Sequence, residues 1–167
     1  PVARLRYYGE ITRELARDDP NAAEAILREA LGNPEYNDLH RHQLLSLLRG
    51  LNRVAGFNYQ FPTPGAYEKY KALAMEDLEV VTRGIASGDI KRDINLATQT
   101  YFEMAGTAAE FGDYPFAEAM LAEARADYPL EYRFVPLALR LALQSNCVEA
   151  VHAVVTPILE NPKENED

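Results

Sequence analysis

The 167-residue sequence contains no tryptophan, one cysteine and three histidines. A single thiol, Cys147, permits no internal disulfide, so the fold has to be held by its core. His40 and His42 stand two apart, and on a helix such neighbours splay by about 200°, which is wrong for one metal ion. His152 is remote in sequence, so no metal and no cofactor are expected. No apolar run approaches the ~20 residues of a membrane span, and no membrane insertion is expected. Pro1-Val2-Ala3-Arg4 runs straight into an amphipathic pattern with no signal-peptide character. A cytoplasmic location is the expectation, and a start without Met leaves an upstream anchor or export signal open.

Other absences narrow the function. Gly84, Gly88 and Gly106 are isolated, so no glycine-rich phosphate loop is present. Cys147 and His152 lack an evident orienting group for nucleophilic catalysis. The acid pair Asp18-Asp19 ends a helix, and Glu76-Asp77 is expected on an exposed helix face. Neither pair has the apolar surroundings that would raise a carboxyl pKa for acid–base work. No enzyme is expected. The net charge of −9 argues against a nucleic-acid partner. Residues 1–53 hold eight arginines, eight acids and no lysine, so the whole deficit lies after residue 53.

What remains is helical. At 47% apolar content the chain can build one domain's core. Leu5, Tyr8, Ile11 and Leu15 recur at helical spacing, as do Ala23, Ile26, Leu27, Ala30 and Leu31. The spacing predicts further helices from Asp38, over 66–86, 94–111, 114–127 and 131–143, and from 148 to about 159. Asn21, Asp38 and Asp93 are the expected caps or first residues of their helices. Period-two alternation occurs over no useful length, which leaves an all-α chain of about eight helices in antiparallel pairs. Segment 57–65, FNYQFPTPG, is an aromatic, proline-bound loop. Phe57, Tyr59 and Phe61 in it either pack back on the helices or meet a partner. Residues 161–167 read as a solvated tail.

The stretch Tyr101–Pro129 recurs 33 residues on, with Tyr101, Ala117, Leu121 and Pro129 returning as Phe134, Ala150, Val154 and Pro162. A repeating helix pair cannot bury its apolar face alone and has to stack on its neighbours. Tyr101, Met104, Ala105, Gly112, Ala117, Leu121, Ala124 and Pro129 follow one another as large, large, small, turn, small, aliphatic, small and stop. This order resembles the tetratricopeptide repeat. Segment 98–130 carries the resemblance best, 131–162 and 5–35 less, and 38–93 fits only with the aromatic loop inserted between two helices. The second unit departs at Ser145-Asn146 and Pro157, and the first has Pro20 oddly placed in its turn.

The resemblance implies a single repeat domain over 1–160, a right-handed α–α superhelix, and a concave groove lined by the first helix of each pair. That groove would hold a peptide or a partner's helix. Counting around the helices puts Arg6, Gly9, Arg13 and Arg17 on the inner face, then His42, Ser46 and Arg49. Gln99, Phe102, Gly106, Ala109 and Glu110 follow on the fifth helix, and Tyr132, Val135, Leu139 and Leu143 on the seventh. The groove would be basic at one end and apolar at the other, suiting an acidic-hydrophobic protein segment. The arginines could instead form local pairs with Glu10 and Glu14. Tyr67 and Tyr70 are expected in the core, and Tyr7, Tyr8 and Tyr36 at an N-terminal rim. An adaptor, chaperone or assembly factor is the leading expectation. A self-associating architectural subunit, hence a homo-oligomer, is the alternative, and a small-molecule sensor or enzyme comes third.

Overall fold

The computed structural model describes residues 2–56, 64–91, 94–127, 132, 134–144 and 148–160. Side chains are described for these apart from 2–6, 17, 55–56, 94–98, 127, 150–151, 154 and 157–158. Every regular element among them is helical: α1 (Val2–Asp18), α2 (Pro20–Leu31), α3 (Asp38–Gly56), α4 (Ala66–Ser87), α5 (Ile94–Glu110), α6 (Tyr114–Asp127), α7 (Phe134–Gln144) and α8 (Val148–Glu160). No described helix is long and apolar enough to cross a membrane. The chain divides into two compact units, Pro1–Arg92 and Asp93–Asp167. The division also separates charge. Residues 1–92 carry thirteen basic and thirteen acidic side chains, whereas 93–167 carry four and thirteen.

In the first unit α1 packs on α2 and α3, α2 packs on α3, and α3 packs on α4. The turn between α1 and α2 is a single residue, Asp19. Its amide donates to Leu15 O at 2.8 Å and its carboxylate accepts from the Ala22 amide at 3.0 Å. Asp19, not Asn21, is therefore the N-cap of α2. Pro20 is not misplaced, because it occupies the first helical turn, where no backbone donor is needed. Asn37 likewise caps α3 through His40 N–H at 3.2 Å, and Asp38 opens the helix itself.

The apolar stripe of α2 (Ala23, Leu27 and Ala30) meets Leu44, Leu45, Leu48 and Leu51 of α3 in a core that also takes in Leu73 and Val80. Burying each leucine or valine of this core is worth about 1.5–3 kcal/mol. Tyr36 belongs to this core too, stacked on His40 at 5.3 Å, and not to a rim. Tyr7 is exposed, Tyr70 is buried and Tyr67 half-buried.

Helices α3 and α4 run antiparallel, as three side-chain links along their length require. Asn52 Nδ2 donates to Ala66 O at 2.9 Å near one end. Arg83 forks onto Asp38 at the other, with Nε to Oδ2 at 2.9 Å and Nη2 to Oδ1 at 2.7 Å. Between them lies the Asp77 carboxylate. At the Arg83 end the backbone of Gly84 lies so close to its neighbours that a Cβ there would sit 2.6 Å from Ile90 Cδ1 and 3.0 Å from Asp38 Cβ. Gly88, at φ 84°, turns the chain so that Ile90 N–H reaches Gly84 O at 2.9 Å.

The second unit repeats the packing order: α5 touches α6 and α7, α6 touches α7, and α7 touches α8. Gly112, at φ 77°, ends α5, with Asp113 N–H bonded to Ala108 O at 2.9 Å. Asp113 then caps α6 through the Phe116 amide at 3.3 Å. Ala105, Ala117 and Ala124 are all 0% exposed, which is what close approach of α5 and α6 demands of small residues. Phe134, Leu137, Ala138, Leu141 and Ala142 form the buried side of α7.

Candidate functional site

Between α1 and α3 lies an open groove of about 380 Å³. Helix α1 contributes Gly9, Thr12, Arg13 and Ala16, and α3 contributes Ser46, Leu47, Gly50, Leu51 and Val54. The α1 set has the spacing i, i+3, i+4, i+7, one face of a helix about 10 Å long. On α3, contact with α1, α2 and α4 consumes most of the circumference and leaves Gln43, Ser46, Gly50, Arg53 and Val54 exposed. Val54 is 72% exposed at the groove's edge, so a large aliphatic surface lies open to water there.

The chemistry of the lining is simple. Among the described residues the lining is mostly aliphatic or glycine, and it includes no acidic side chain. The Thr12 hydroxyl is committed to Tyr8 O, one turn back in α1. Arg13 is exposed, and no ion pair ties it to an acidic side chain among the described residues. The groove is thus an apolar trough with Arg13 among its lining, in a unit whose net charge is zero.

Three residues that sequence counting puts on the inner face, Gly9, Arg13 and Ser46, come together at this groove. His42 and Arg49 do not. Both are buried against α4, where His42 Nδ1 lies 2.8 Å from Asp77 Oδ1 and Arg49 Nη2 lies 2.9 Å from Asp77 Oδ2. A carboxylate only accepts, so the imidazole N–H is the donor. Asp77 is 0% exposed, which corrects the expectation of an exposed Glu76-Asp77 pair; Glu76 alone faces solvent. The signal was present in the sequence. Tyr70, Leu73, Ala74, Asp77, Val80, Val81 and Gly84 make one helical stripe with an acid in its middle, and a buried acid calls for cationic partners. This trio fixes α4 against the back of α3, and so sets where the groove-facing stripe of α3 points.

In the second unit the expected inner-face residues are scattered in burial. Gln99 and Phe102 of α5 are exposed, Tyr132 is exposed ahead of α7, and Val135 and Leu139 are half-buried. A smaller cleft of about 210 Å³ opens among α6, α7 and α8, with alanines on its floor and Glu118 and Arg125 of α6 beside it. The side chains of Arg6, Arg17, Phe57, Tyr59 and Phe61, together with the 161–167 tail, lie outside the described residues, as does Cys147. Among the described residues no three His, Cys, Asp or Glu side chains gather as metal ligands would.

Comparison with protein-family models, curated proteins and solved structures finds no match to this chain.

Proposed function

We propose that the chain is a non-enzymatic interaction module, built as a tetratricopeptide-like array, which holds a segment of another protein in the α1–α3 groove. The observation that carries this reading is the trough itself: about 380 Å³, largely aliphatic, open, without an acid among its described lining residues and flanked by Arg13. An apolar concavity with one charged group beside it suits a peptide whose apolar side chains fill it and whose carboxylate meets the guanidinium. The neutral charge of residues 1–92 means that an acidic segment meets no net long-range repulsion from the unit that would hold it. The repeated packing order of α1–α4 and α5–α8 is what stacked helix pairs of that family would give, and supports the array reading.

The test is fluorescence anisotropy with peptides carrying Glu or Asp next to two aliphatic residues. Arg13→Glu should weaken binding roughly tenfold or more while leaving the far-UV circular dichroism unchanged. Equal affinity for the Arg13→Glu protein would remove the cation from the reading, and no binding by the wild-type protein would remove the function. The architectural alternative has support in the large apolar side chains that the second unit leaves exposed, Phe102, Leu143, Val148 and Leu159 among them. Light scattering over a concentration series addresses it, and a constant monomer mass would retire it.

A further inference from the structure

Gly9 and Gly50 sit in the middle of helices, where each costs stability relative to alanine through backbone entropy. A glycine in such a place usually has a local reason: a positive φ, or a neighbour that a Cβ would strike. Neither applies here. Neither residue has a positive φ. A Cβ on Gly50 would meet nothing within 4 Å, and one on Gly9 would meet only Leu47 Cδ2 at 3.9 Å, an ordinary contact. Gly84 is the contrast, since its own fold fills the space its side chain would need. Among the described residues of the unit, nothing therefore needs the space left by the missing side chains of Gly9 and Gly50, and both open onto the same groove.

We infer that the groove takes an α-helix of a partner protein, seated at backbone-contact distance over Gly9 and Gly50, with a carboxylate meeting Arg13. The inference rests on the reading of the groove as a holding site and says which conformation it holds. Two arguments select a helix over an extended segment. An extended peptide brings unpaired backbone N–H and C=O groups, and burying these without partners is costly. The lining offers almost nothing to pair them: Thr12 is already committed to Tyr8, and Ser46 and Arg13 are the polar groups that remain. A helix satisfies its own backbone and asks only for shape. Its surface at the crossing point must carry a small residue, because glycines on the receiving side are useful only when the two backbones come close. An aliphatic side chain one turn away would then cover Val54 and Leu51. The charge argument is equally local: the described lining holds Arg13 and no acid, so an acidic flank on the helix is complementary and a basic one is not.

The experiment selects binders to the full chain from a peptide library that samples both lactam-constrained helices and proline-containing extended sequences. The selected peptides are then titrated against wild type and Gly50→Leu. Leucine at 50 has room in the free protein and is a better helix former than glycine, so the melting temperature should hold or rise. The expected result is a helical consensus with one small residue and an acidic flank, bound about tenfold or more weakly by Gly50→Leu. Selection of extended, proline-containing peptides would overturn the inference and leave the holding function standing. So would helices that bind Gly50→Leu as well as wild type. A wild-type dimer that Gly50→Leu converts to a monomer would assign the groove to a second copy of this chain, which overturns the proposal of a foreign helix. Selection of no peptide at all would overturn both readings together.

Discussion

Removing the Asp77 carboxylate takes away the negative charge that faces Arg49 and His42 inside the α3–α4 interface. Taking one partner from a buried ion pair costs about 3–5 kcal/mol, since the desolvated cation keeps its cost and loses its compensation. Asp77→Ala should therefore lose stability on that scale in urea unfolding. Asp77→Leu combined with Arg49→Met should recover a large part of the loss, because an apolar pair of similar volume needs no compensation. If the double variant is no better than the single one, His42 and the other contacts of Arg49 dominate. Gly84 belongs to the same scale. A methyl group at 84 must displace Ile90 or part the ends of α3 and α4, so Gly84→Ala should cost about 1–3 kcal/mol, read in the same unfolding assay.

Among the elements, α3 and α4 are joined at one end by the Asp38–Arg83 fork, and this link gives a pH dependence. The hydrogen bonds from Arg83 hold the Asp38 carboxyl below its ordinary range. Burial, the next largest influence, pulls the other way, and the smaller effects of the Arg83 and Arg41 charges reinforce the lowering. A depressed folded-state pKa contributes stability above the unfolded value of about 3.9 and loses it as the pH falls through the folded pKa. Asp38→Asn should thus be less stable than wild type at pH 7, and the difference should shrink below about pH 4. Unfolding curves at pH 7 and pH 3 check the sign.

Much at this scale was legible in the chain. The Gly112-Asp113 turn, the small residues of α5 and α6, and the stripe of α2 follow from local chemistry that a sequence states directly. The α1–α2 turn was misread by two residues because Asp19 and Asn21 are both good caps, and only Pro20 in the first turn decides between them. The site was half legible. Counting around a helix says which residues share a face, so Gly9, Arg13 and Ser46 were found. It does not say which faces another helix will cover, so His42 and Arg49 were assigned to an open surface that α4 occupies.

For the whole molecule, charge and anchoring are both unevenly distributed. All of the net charge of −9 falls in residues 93–167, so the proposed recognition of an acidic helix by the first unit would depend on Arg13 and its immediate surroundings and not on a broad basic field. Among the helices of that unit, α3 packs against α1, α2 and α4, whereas α1 packs against α2 and α3. Amide hydrogens of α3 should accordingly exchange more slowly than those of α1, close to the rate set by unfolding of the whole unit. Exchange followed by mass spectrometry would show this, and equal protection of the two helices would contradict it. The trough between them then has one fixed wall and one compliant wall. A guest would enter and leave at the pace at which α1 yields, so its residence time would be governed by the Tyr8 and Leu15 contacts that tie α1 down to the core rather than by the surface it touches.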